Sequence, residues 1–237
     1  MTAGRSTTSN PARAGAVAVG LTVAALVASI AVGVVVLVPA FLLGYAIDSL
    51  PVLVASLIAG QLGFLAVGLL YTRRYDVRIP ISSPTRRSMG YVVGGTGLGL
   101  AIAFGGLFLL DVLGMAPDSA LEETAAIDPV FLLVLAALSV VLVAPAEEYL
   151  FRGVIQGRLR ESLGPVPAIL GASLLFGAMH FMNYIGSPVE ILGGVLVIVC
   201  VGAVFGALYE LTDNLTVPIL VHAIYNVILS LLSYFAM

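Results

Sequence analysis

Apolar runs of about 17–25 residues, the length needed to cross a ~30 Å hydrocarbon core as helix, recur along this chain. They lie near residues 15–47, 51–71, 91–113, 130–151, 165–182, 191–211 and 218–236. The composition agrees: 60% of residues are apolar, 10% are charged and the mean hydropathy is +1.14. A soluble domain carries about 25% charged residues. The expected fold is therefore all-α, a polytopic transmembrane helix bundle of about seven to eight spans. The first run is long enough to tilt, to kink at Pro39 or to divide in two. It is also too long for the core of a cleaved signal peptide, which marks it as a retained anchor.

Charge asymmetry gives an orientation. Residues 72–90 hold five of the ten arginines, and the chain has no lysine. Residues 115–129 hold only acids. Arginine-rich short loops stay cytoplasmic, which places residues 72–90 inside together with Arg152, Arg158 and Arg160, and residues 115–129 outside. The N-terminal tail, with Arg5 and Arg13, falls inside if the first run crosses once. An integral, multi-pass protein of the cell (plasma) membrane is the expected location, and the lipid bilayer is its solvent.

Other features exclude more than they assign. A net charge of −3 gives no footing for a nucleic-acid partner. Cys200 is the only cysteine, so there is neither a disulfide framework nor a cysteine metal cluster; a packing role is expected for it. The glycine-rich stretch "YVVGGTGLGLAIAFGG" lies inside an apolar run, where glycines let helices approach closely.

The stretch "APAEEYLFRG" then stands out. Glu147 and Glu148 follow a run, Val130 to Ala146, that carries no charge, and a carboxylate near hydrocarbon costs ~2.5–3.5 kcal/mol or more at a helix centre. Adjacent helical residues diverge by about 100°, so the two glutamates are not expected to face one small site together. Glu148 and Arg152, at i and i+4, can pair along the helix. Glu147 has no such local partner and is the one left for chemistry. The chain has only two histidines, His180 and His222, both in apolar runs. His222 shares a helix face with Asn226, and Phe176 can wall the site beside His180. Glycine and two prolines in "SLGPVP" mark a turn, and Glu147 and His180 are equally distant from its centre. In an antiparallel hairpin they would sit at one height, and the stretch from Arg152 to Glu161 would protrude into the cytosol. The fifth run ends soon after His180, at "NYIGSPVE", and would stop short of the outer surface.

"EEYLFR", "FGAMH" and "HAIYN" resemble, in order and spacing, the EExxxR, FxxxH and HxxxN motifs of the CPBP (CAAX protease and bacteriocin-processing) family. These intramembrane proteases are also called the ABI family and include the Rce1-type CAAX prenyl endopeptidases. The resemblance covers roughly residues 130–230. It implies an intramembrane endopeptidase in which Glu147 and His180 activate water and His222 and Asn226 stabilise the oxyanion. Glu148, Arg152 and Phe176 match the supporting motif positions. The implied organisation is a short cytoplasmic tail over residues 1–14, N-terminal membrane helices over 15–129 and a catalytic membrane core over 130–237. The implied partner is a membrane-associated protein or peptide substrate; neither its identity nor an oligomeric state is legible.

That chemistry suits the residues. Hydrolysis needs a base for water and donors where negative charge develops, and one such donor is worth ~3–4 kcal/mol. Glu147, His180 and His222 are also a possible zinc set. A metal-free site is favoured over zinc, because ligating histidines usually need an oriented acceptor and no carboxylate beyond the glutamate pair lies within a turn of either histidine. Two readings from other classes use the same polar residues. One is a proton-coupled transporter, which would more naturally show broken helices in both halves. The other is a non-proteolytic membrane scaffold.

Overall fold

The computed structural model describes residues 10–237. Most of the expected tail lies outside the described residues, and its last four, from Pro11, are already helical. Eight helices follow in order: α1 (Pro11–Leu42), α2 (Leu50–Tyr75), α3 (Arg86–Val112), the short α4 (Ala120–Ile127), α5 (Val130–Leu163), α6 (Pro165–Met179), α7 (Pro188–Thr212) and α8 (Thr216–Ala236). Six of them are long and apolar enough to cross a membrane, and α6 is a shorter apolar helix of 15 residues. The chain is thus an all-helical, multi-pass membrane protein. The first run forms one undivided helix with Pro39 inside it.

Local chemistry explains the boundaries. Asn10 caps α1 by accepting from the Ala12 amide, and Thr85 caps α3 through Ser88. A capping box of Ser187 and Glu190 opens α7. Helix α6 stops at Met179, short of a full crossing as the sequence suggests. A 3₁₀ turn (Phe181–Asn183) follows, then strand β2 (Tyr184–Ile185), which pairs antiparallel with β1 (Asp118–Ser119). The irregular backbone beyond His180 is thereby tied to the loop before α4. Irregular backbone at membrane depth requires such protein cover.

Helix α5 is the axis of the bundle and the most buried of the long helices. It packs against α1, α2, α6 and α8, while α3 packs on α7 and α8. Glycines of α3 permit that approach: a Cβ on Gly106 would lie 2.7 Å from Val197 Cγ2 of α7. Two corrections to the sequence reading fall on α5. It continues to Leu163 rather than ending near 151, and Arg152 to Gln156 are buried within the bundle instead of protruding. Only Arg158, Arg160 and Glu161 of that stretch reach the surface as ion pairs, Arg158 with Glu161 and Arg160 with Glu210 of α7. The helix can carry charge inward because the inner charges find partners. Cys200 is exposed rather than packed.

Candidate active site

Two π-helical segments, Ser139–Val143 and Tyr149–Gln156, flank a single α-helical turn that holds Glu147 and Glu148. π-Turns inside helices mark functional sites more often than chance and re-aim the side chains around them. The two glutamates do diverge, but both reach His222 of α8, one at each ring nitrogen. His222 Nδ1 lies 2.9 Å from Glu148 Oε1, and His222 Nε2 lies 3.9 Å from Glu147 Oε2. The expectation that the pair could not serve one small site is corrected by this bridging ring. Helix α8 supplies it from across the bundle.

Each histidine is oriented through Nδ1. His180, at the end of α6, donates to the Phe176 carbonyl at 2.7 Å. His222 donates to the Glu148 carboxylate. Both acceptors lack a proton to give, so both rings carry hydrogen on Nδ1 and turn Nε2 towards Glu147. The His180 Nε2–Glu147 Oε2 distance is 3.8 Å, which bears out the equal heights counted from the turn. Aromatic rings hold the imidazoles in place. Phe205 stacks on His222 at 5.0 Å, and Phe176 lies 4.5 Å from the His180 ring and edge-on to His222.

The remaining charge is compensated along α5. Arg152 is fully buried, with Nε 3.1 Å from Glu148 Oε2 and its guanidinium 4.9 Å over the Phe176 ring. Gly202 of α7 makes the room, since a Cβ there would lie 3.0 Å from Phe176 Cδ1 and 3.2 Å from Arg152 Nη2. Asn226 sits one turn beyond His222 on α8, half-buried, and the structure gives it no hydrogen bond. Glu147 is nearly buried and His180 a fifth exposed, so the site opens on the His180 side.

One polar partner was not legible in the sequence. Gln61, buried on α2, donates from Nε2 to Glu147 Oε1 at 2.9 Å. It belongs to no motif; a lone glutamine inside an apolar run is its only signal.

The geometry bears on zinc as well. Each histidine has an Nδ1 acceptor of the kind that orients a zinc ligand, Glu148 of the glutamate pair for His222 and the Phe176 carbonyl for His180. Tetrahedral zinc with bonds of ~2.0–2.1 Å separates its ligands by roughly 3.3 Å, whereas Glu147 Oε2 stands 3.8 and 3.9 Å from the two Nε2 atoms. Among the described residues no group of three or more His, Cys, Asp or Glu side chains is arranged to hold a metal.

The fold and the site together define a polytopic membrane protein with a carboxylate–histidine centre buried at mid-bundle. Residues 129–228 match the family model described as Type II CAAX prenyl endopeptidase Rce1-like, so the second half of the chain is similar to that family. The matched segment contains Glu147, Glu148, Arg152, Phe176, His180, His222 and Asn226, but not Gln61. No curated protein and no solved structure matches the chain.

Proposed function

We propose that the protein is an intramembrane endopeptidase that hydrolyses membrane-associated protein or peptide substrates through Glu147 and His180, without a metal. The observation that carries this reading is the 3.8 Å separation of Glu147 Oε2 and His180 Nε2. It is too long for a direct hydrogen bond and suits one water that donates to both atoms. Both are acceptors, so such a water turns its lone pairs outward to a carbonyl carbon. In the reaction the water oxygen bonds to that carbon and its proton passes to Glu147. The C–N bond then breaks as Glu147 returns the proton to the leaving nitrogen.

Gln61 holds the other carboxylate oxygen, which fixes Oε2 towards the histidines. His222 and Asn226 would stabilise the oxyanion. Because His222 Nδ1 already donates to Glu148, its Nε2 donates only in the imidazolium form. Arg152 offsets the charge of Glu148, which lets that carboxylate stay buried behind His222 and hold its ring.

The test compares membrane proteomes of a wild-type strain and a Glu147→Gln strain for new chain termini. The proposal expects a defined set of termini present only in the wild type. Identical termini in both strains would point to a transporter or scaffold, since only a protease leaves cut ends.

A further inference from the structure

Beyond the catalytic atoms, α5 carries a polar row at four-residue spacing: Glu148, Arg152, Gln156 and Arg160. The first three are fully buried. The row ends on Glu210 of α7, which receives Gln156 Nε2 at 3.3 Å on one oxygen and Arg160 Nε at 2.6 Å on the other. Glu210 in turn lines a cavity of about 1000 Å³ at the arginine-rich end of the bundle, with Tyr71, Arg78, Gly157 and Tyr209. That cavity and the His222–Glu148 pair are therefore the two ends of one polar row, buried from Glu148 to Gln156.

The middle of that row has more hydrogen-bonding groups than the protein satisfies. Arg152 offers five N–H donors, and the protein gives it one carboxylate contact and one ring face. Its Nη1 and Nη2, the Gln156 Oε1 and the Ser173 Oγ have no protein hydrogen-bond partner. These groups are neighbours. Arg152 Nη2 and Ser173 Cβ both lie within 3.6 Å of the Cβ position of Gly202, and Gln156 Oε1 lies 2.6 Å from that of Gly206, one turn further along α7. A buried polar atom left without a partner is costly, and buried water supplies such partners where two to four polar groups converge.

We propose that bound water occupies the junction of Arg152, Gln156 and Ser173, and that it connects the cavity at Glu210 with Glu148 and His222. Water then reaches the rear of the site by a route separate from the opening beside His180. The route is independent of which bond, if any, the site cleaves.

The experiment is radiolytic hydroxyl-radical footprinting of the full-length protein in nanodiscs, in which radicals generated at bound water label the side chains it touches. Phe176 is the reporter, since it is 2% exposed and packs against Arg152 and Gly202. Phe151 is the dry control: it is fully buried between Phe176, edge-on at 5.3 Å, and Phe64 at 6.2 Å, and the structure gives it no contact with the unpartnered polar groups. The expected result is labelling of Phe176 several-fold above Phe151, falling to the Phe151 level in Gln156→Leu. Ser173→Ala, a smaller change, should lower it in part and stands in if Gln156→Leu does not fold. Equal labelling of the two phenylalanines in the wild type would overturn the proposal. So would Phe176 labelling left at the wild-type level by whichever of the two substitutions folds.

Discussion

Replacing Glu148 by glutamine isolates the electrostatic support of the site. Arg152 is fully buried, and Glu148 is its only ion-pair partner among the described residues. Removing one member of a buried pair leaves an uncompensated charge, at a cost of about 3–5 kcal/mol, a large part of a typical stability of ~5–15 kcal/mol. Glu147→Gln has no comparable consequence. Glu147 Oε2 has no protein hydrogen bond, and Gln61 can still donate to the amide oxygen that replaces Oε1. Its expected cost is about 1 kcal/mol or less.

The assay is unfolding in mixed micelles at increasing denaturing detergent, with wild type, both single variants and the double variant Glu148→Gln/Arg152→Gln. The double variant removes both ions, and replacing a whole buried pair is often close to neutral, so it should recover at least about half of the Glu148→Gln loss. Equal stability of the two single variants, or a double variant as weak as Glu148→Gln, would refute the reasoning.

Gln61→Leu deletes a hydrogen bond to a charged group worth ~1.5–3 kcal/mol; if that bond acts in the transition state, kcat should fall by about 10–100-fold with the protein still folded, as measured on a substrate found by terminus mapping. Gly202→Ala places a methyl against Phe176 and Arg152 and should destabilise by ~1–3 kcal/mol, whereas Gly105→Ala, with nothing within 4 Å of its Cβ position, should not; unfolding of the two variants side by side checks this. Cysteines at positions 147 and 180 in a Cys200→Ala background should join through a short crosslinker, and a 148/180 pair linking instead would mean that the wrong face of α5 meets α6.

Much of this architecture could be read from the chain. Long apolar runs gave the bundle, and the "SLGPVP" turn placed Glu147 opposite His180 by counting alone. The i, i+4 pairing of Glu148 with Arg152 is local and needs no tertiary knowledge. The features that escaped depended on neighbours distant in sequence. Gln61 reaches Glu147 across 86 residues, and His222 reaches Glu148 across 74. The extent of α5 also escaped, because the charges after Phe151 read as the end of a membrane span while the helix runs on to Leu163 with Arg152 and Gln156 buried. Arg152 reads as a surface charge by hydropathy, yet a carboxylate and an aromatic face hold it inside.

The most direct measurement of the central claim uses the purified protein reconstituted in liposomes, with a substrate identified from its new termini, in water enriched in ¹⁸O. Wild-type protein should cleave in the presence of a strong chelator and place one ¹⁸O in the new carboxyl terminus, while Glu147→Gln, equally folded, should leave the substrate intact. Cleavage by Glu147→Gln at the wild-type rate, or wild-type activity that disappears with the chelator and returns only with added zinc, would contradict it.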